Sequence, residues 1–404
     1  MQKADENMKE QLIPDGGIPR RILLTMAVIG GLTVANLYYN QPLLEAMRQS
    51  LGATEFQANL ITFITQLGYA AGLILVVPLA DKVSRRKIIT VNMSVAVLCC
   101  LAIAFGRNLW VIWLASIVLG CNSVVPQMFI PVASHFSRPE DKSRNMGIVL
   151  TGLLSGVLGA RVLSGYIGEL AGWRTMFVIA AVFMAVSLIV MLRTLPVMPS
   201  SFDGSYGELM KSIGSIYRKY PSIRIYSLRG GLSFGGMMAI WSCMAFHLAG
   251  EPFNAGSDAV GMLGLCGLAG AAAASGIGKY IPKFGIERFC QAGSVFQFSA
   301  WIIAYLFSDS YVGLVAAIML VDVGAQCYQL SNQSGCLALV PEATNRANTI
   351  FMSHLFVGGS LGTLSAGAAW NYGGWNAVCL VGFTFALAVA VVNVIFQRAK
   401  VRYM

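Results

Sequence analysis

The chain has 404 residues and a formal net charge of +10, yet only 11% of its residues are charged, 56% are hydrophobic, and its mean hydropathy is +0.67. Soluble domains carry about 25% charged residues, so a water-soluble fold of this length would leave much apolar surface in water. The composition instead fits a bilayer, where each helix needs roughly 20 apolar residues to cross. The positive balance is no evidence for nucleic acid, whose recognition would need basic residues clustered on a soluble face.

Along the chain, the Met1-Gln2-Lys3 start lacks an apolar core followed by a small-residue cleavage site, so no signal peptide is expected. Residues 1–21 read as a polar cytoplasmic tail, with Pro14 and Gly16-Gly17 before the first apolar run. Six spans follow near 22–47, 56–80, 87–106, 109–134, 144–168 and 173–195, forming an N-terminal half over 22–195. Residues 196–222 form a cytoplasmic linker whose Tyr206–Lys219 stretch reads as a surface helix. Six more spans lie near 223–248, 257–281, 288–307, 311–339, 347–370 and 375–397, within a C-terminal half over 223–398, and 399–404 form a second tail. The fold class is therefore an all-α membrane protein of about 12 transmembrane helices in two six-helix halves.

Among the 28 Lys and Arg residues, only Arg48, Arg107 and Arg174 fall in loops of one side and Arg161 within a span; the rest share the other side. The positive-inside bias makes that side cytoplasmic and places both termini there. The halves also repeat: Pro139-Glu140 with Arg144 recurs as Pro341-Glu342 with Arg346, and Gly172-Trp173 as Gly374-Trp375, each at an offset of 202. Parallel repeats of this kind, related by an axis along the membrane normal, typify one large class of transporters.

After the second span the chain reads Gly68-x3-Gly72-x5-Pro78-Leu79-Ala80-Asp81-Lys82-Val83-Ser84-Arg85-Arg86-Lys87. This resembles the loop 2–3 signature of the major facilitator superfamily, with Ser84 where the family usually has glycine. The resemblance implies that fold, and a cytoplasmic gate built from Gly72, Asp81, Arg85, Arg86 and Arg144, in which Asp81 near Arg144 or a helix N-terminus makes a breakable latch. The equivalent loop of the second half, Gly278 to Gly285, has basic residues but no aspartate, so the latch is asymmetric. Two further patterns, those of the family's drug:proton antiporters, are degraded. Ser116 stands where the fourth span often has arginine. Gly147 and Gly156 fit the fifth-span glycine pattern, but Val157, Ala160 and Arg161 replace its Pro-Gly-Gly.

Only Arg161 and Asp322 are charged well inside the spans, and each costs at least about 2.5–3.5 kcal/mol at mid-bilayer. They are the expected proton-coupling residues, Asp322 carrying the proton and Arg161 competing with it for the carboxylate. Asp322, Gln326, Gln329 and Gln333 fall at i, i+4, i+7 and i+11, one stripe of a helix, and amides facing lipid would be costly. That stripe, with Asn36, Tyr39 and Asn40 of the first span, Asn122 and Gln127 of the fourth and Trp241 of the seventh, makes up the expected substrate cavity near the midplane. His247 and His354 read as packing residues. The nine cysteines form no CxxC and read as small buried hydrophobes, so neither metal nor cofactor is expected.

No HExxH, GxSxG or P-loop occurs in the chain, which argues against an enzyme or an ATP-driven pump. The resemblance implies a secondary transporter of the bacterial inner membrane, working as a monomer by alternating access and exchanging protons for a small drug-like or metabolite molecule on export. The alternative is a symporter taking up a sugar, amino acid or small organic anion through Arg161.

Overall fold

The computed structural model describes residues 12–13, 15–196 and 204–402. Residues 1–11 of the expected tail (with Lys3 and Lys9), Pro14, linker residues 197–203 and the terminal 403–404 lie outside the described residues. Ten helices among the described residues are long and apolar enough to cross a bilayer. One of them, running to Arg402, breaks at Gly373 and Gly374, whose backbone is not helical, and so supplies two spans. Adding the shorter, interrupted first helix gives twelve.

Span 1 is Arg20–Ala35, continued through turns over 36–40 and a 3-10 turn at Gln41–Leu43 into Leu44–Leu51. Pro42 lacks the N–H that a continuous helix requires. Span 2 is Glu55–Leu75 plus Leu79–Lys82, opened by a capping box at Thr54 and Gln57. Span 3 is Arg85–Phe105, and span 4 is Leu109–Asn122 with Val125–Phe136. Span 5 is Lys142–Ala171 and span 6 Trp173–Thr194. The linker forms the helix Tyr206–Lys219, again with a capping box, Ser205 with Glu208. Span 7 is Pro221–Ala249, and span 8 runs from Ser257 to Phe284 through a 3-10 turn at Gly264–Cys266. Spans 9 and 10 are Ile286–Leu306 and Tyr311–Leu339. Spans 11 and 12 lie on either side of Gly373-Gly374.

The internal repeat reappears as packing. A methyl on Gly31 of span 1 would strike the carbonyl of Gly152 and touch the Cα of Gly156 on span 5. In the second half, Gly231 of span 7 meets the carbonyl of His354 and the Cα of Gly358 on span 11, and 354 and 358 are 152 and 156 displaced by 202. Small residues let helix backbones approach this closely where lipid offers no hydrophobic drive for association. Gly172 and Gly374, also 202 apart, both have positive φ (81° and 54°) at the turn into the last span of their half. Gly68 and Gly72 of span 2 and Gly120 of span 4 form a third close crossing.

The two halves meet along spans 2 and 11 and along spans 5 and 8. One end of the molecule carries the basic loops (the basic end); at the opposite end the halves are joined. There Asn59 Nδ2 donates to the carbonyl of Ser242 at 3.2 Å, and Glu169 Oε2 accepts from the Ser257 backbone N–H at 3.0 Å at the start of span 8. Gly165 and Gly261 lie backbone to backbone beside them. Span 5 packs against span 8 chiefly over Ser257–Cys266 and separates from it towards the basic end.

Candidate transport site between the halves

Arg161 projects from span 5 into the centre and is only 3% exposed. The 3-10 turn in span 1 carries Gln41 to it, and the Arg161 Nε donates to Gln41 Oε1 at 2.8 Å. The guanidinium lies over two rings, 3.9 Å from the Trp241 centroid and 4.9 Å from that of Tyr38. Its Nη2 is buried without a hydrogen-bond partner. A cation desolvated against aromatic faces gains about 2 kcal/mol from the ring quadrupoles, which offsets part of its burial and leaves the unmatched N–H as a donor awaiting an acceptor.

Asp322 of span 10 is 6% exposed and accepts from the Trp241 indole Nε1 at 3.4 Å. Its carboxylate and Cβ rest on Gly267 and Gly270 of span 8. The ion pairs among the described residues join Arg48 to Glu45 and Glu55, Asp81 to Arg85, Asp15 to Lys142 and Arg229 to Glu287; Arg161 and Asp322 are not joined. Trp241 stands between them, its face to the arginine and its N–H to the carboxylate. The two charges from opposite halves thus share one indole.

Around this centre Gln41 and Gln66 both donate to the Met238 sulfur, at 3.9 and 3.2 Å, and Thr363 Oγ1 donates to Gln66 Oε1 at 3.2 Å, tying span 2 to spans 7 and 11. Thr363 is Arg161 displaced by 202, so the repeat places a hydroxyl where its counterpart holds the charge.

The other residues singled out in the sequence are distributed more widely. Gln326 and Gln329 are partly exposed below Asp322, and Gln333 donates to Asn348 at 2.7 Å. Asn36 turns into the first half, towards Ser123 and Met184, while Asn40 bonds Thr62 and Thr65. Asn122 donates to the Val118 carbonyl of its own helix, and Gln127 donates to the Tyr69 hydroxyl at 3.2 Å. Tyr39 is buried on the face of span 1 that looks to span 5. The sequence does not mark Tyr38 and Gln41 for the site, because the turns over 36–40 break the phase that a regular helix would keep, and it does not mark Gln66, a lone amide in the middle of span 2.

At the basic end, Asp81 lies 3.6 Å from Arg85 and shares a small cavity of about 30 Å³ with Arg346 of the second half and Ile213 of the linker helix. Arg86 donates to the Leu192 carbonyl. Gly72 belongs to the span 2–span 4 crossing, and Arg144 lines a separate pocket with Arg20 and Arg138. Arg229, counted in the sequence among the cations of the basic side, is fully buried and holds Glu287 with two bonds of 3.2 and 3.0 Å. Gln397 donates to the same carboxylate, and the Arg229 guanidinium lies 4.7 Å over Phe396.

Residues 26–363 match the profile of the Major Facilitator Superfamily. The chain belongs to that superfamily. It is 33% identical over 374 residues to an uncharacterized transporter, YgaY, of Escherichia coli O157:H7, covering 93% of this chain and 95% of the relative. It is 30% identical to a probable transporter of Streptomyces coelicolor, covering 91% and 86%. In fold it is similar to the nucleoside transporter NupG (TM-score 0.74, 15% identity, 94% of this chain and 99% of that one). It is equally similar to a bacterial homolog of the human lysosomal transporter Spinster in an inward-facing, occupied conformation (TM-score 0.74, 15% identity, 95% and 98%). The protein is a multi-pass membrane transporter with the major facilitator fold, not an enzyme.

Proposed function

We propose that this transporter is a proton-coupled exporter of small amphipathic molecules, residing in the bacterial inner membrane with its basic end and both termini in the cytoplasm, and working as a monomer. The observation that carries the reading is the single indole shared by Asp322 and Arg161. A proton on Asp322 removes the negative charge that Arg161 faces across Trp241, and so changes how a substrate competes for the same rings. The partly exposed glutamines below Asp322 supply hydrogen bonds without fixed charge, as an amphipathic substrate requires. The halves closed at one end and spans 5 and 8 parted at the other fit a carrier poised towards the cytoplasm.

The test is proton flux in proteoliposomes with a pH-sensitive dye inside and a substrate panel outside. Substrate-triggered proton movement in the exporting sense, abolished by Asp322→Asn, is the expected result. Substrate movement without proton movement, equal in both proteins, would remove the coupling.

A second reading has its own observation: the unpartnered, buried Nη2 of Arg161 is suited to a carboxylate or phosphate oxygen. It predicts symport of a small organic anion, with uptake lost in Arg161→Ala but retained in Asp322→Asn.

A further inference from the structure

On the face of span 5 away from Arg161, an open groove of about 880 Å³ runs between spans 1 and 5. The separation follows from helix geometry. Gly152, which packs on span 1, and Arg161 are nine residues apart, so at 100° per residue they point to opposite sides. The groove walls are apolar and outward-facing: Leu24, Val28 and Leu163 are 46%, 60% and 37% exposed. Its floor is made of small residues, and at Gly147 and Gly159 an added Cβ would meet nothing within 4 Å.

At its basic end this groove runs into a second, polar pocket of about 460 Å³, and the two share Arg144 and Ile148. The polar pocket presents Arg20, Arg138 and Arg144, all exposed and none in an ion pair among the described residues. Asp141 also lines it and offsets one of the three charges, while the neighbouring Lys142 is taken up by Asp15 at 2.8 Å. Asn145 and the backbone of Gly16 and Gly17 add polar groups. Three arginines at the membrane interface, opening directly into an apolar trough that faces lipid, have the head-and-tail layout of one molecule. Its head is anionic and its tail is a hydrocarbon chain.

We infer that the cleft between spans 1 and 5 is a binding site for an anionic phospholipid of the leaflet at the basic end, its phosphodiester on Arg20, Arg138 and Arg144 and one acyl chain in the groove. Guanidinium groups pair with phosphate oxygens bidentately, and basic side chains at the surface select anionic over zwitterionic headgroups. Gly147 lies about 4.5 Å along the helix from Arg144 at 1.5 Å per residue, where the chain would leave the glycerol. A lipid wedged between spans 1 and 5 would bear on the close Gly31–Gly152–Gly156 contact, and so on the position of the helix that carries Arg161. The site stands whether or not Asp322 carries a proton.

Native mass spectrometry of the purified full chain, offered equal amounts of phosphatidylglycerol and phosphatidylcholine, tests this. One phosphatidylglycerol should be retained in preference. Its affinity should fall roughly tenfold or more in the variant combining R20A, R138A and R144A, and comparably in G147F, whose Cβ has open space and whose ring would occupy the trough. Circular dichroism melts of both variants should match the wild type. Equal retention of the two lipids, or unchanged phosphatidylglycerol binding in G147F, overturns the proposal. So does displacement by free glycerol phosphate at the concentration of the lipid, which would mark a plain anion site with no use for the groove.

Discussion

Trp241 does two separable things: its ring faces Arg161 and its N–H reaches Asp322. Trp241→Phe keeps a ring under the guanidinium and removes only the hydrogen bond. Substrate affinity should therefore change less than threefold while the pH dependence of transport shifts, as read from initial rates across external pH. A loss of affinity as large as that in Trp241→Ala would mean that the N–H serves the substrate instead. Arg229 and Glu287 offer a second test. Arg229 is fully buried while Glu287 is partly exposed, so removing the carboxylate leaves an uncompensated buried charge, at a cost of up to about 3 kcal/mol. Glu287→Ala should therefore lower the melting temperature in detergent more than the double change Arg229→Met, Glu287→Gln. Asp322 and Arg161 were legible as the site's charges because almost nothing else in the spans is ionised. Arg229 was not, since its position near the start of span 7 resembles an interfacial cation until Glu287 is brought to it from span 9.

At the scale of elements, the glycines divide into those that carry a crossing and those that do not. Gly156 and Gly358 lie on the backbones of Gly31 and Gly231, so Gly156→Leu or Gly358→Leu should prevent close packing and remove folded protein from detergent extracts. Gly159→Leu, with open space beside it, should express normally on gel filtration; the reverse order would contradict the helix contacts described. The linker helix Tyr206–Lys219 also bridges the halves. Tyr206 donates to the Leu75 carbonyl of span 2, while the Tyr217 ring stacks on His354 of span 11 at 5.4 Å. The helix itself was readable from Ser205 and Glu208, which cap it. Its docking partners were not, because an amphipathic face says that something is covered without saying what.

For the molecule as a whole, alternating access requires the contacts among Asn59, Ser242, Glu169 and Ser257, at the end opposite the basic loops, to break in each cycle. In a variant that keeps Cys243 alone of the nine native cysteines, Asn59→Cys, at a site whose amide lies 3.9 Å from the Cys243 sulfur, should cross-link to it on oxidation, stop transport, and recover on reduction. Transport that continues in the cross-linked protein would show that the halves do not part there. The twelve spans, the two halves and the repeat at 202 were all set by the sequence alone, because the cost of placing polar groups in hydrocarbon is local and writes itself as apolar runs of fixed length. The meeting of Gln41, Trp241, Arg161 and Asp322 was decided only by tertiary structure. Those residues come from four spans in two halves, and the turn at 36–43 that rotates Gln41 inward follows no helical period. The same holds for the cleft between spans 1 and 5: its arginines and its glycines are visible one by one, but only the crossing of two helices makes them one surface.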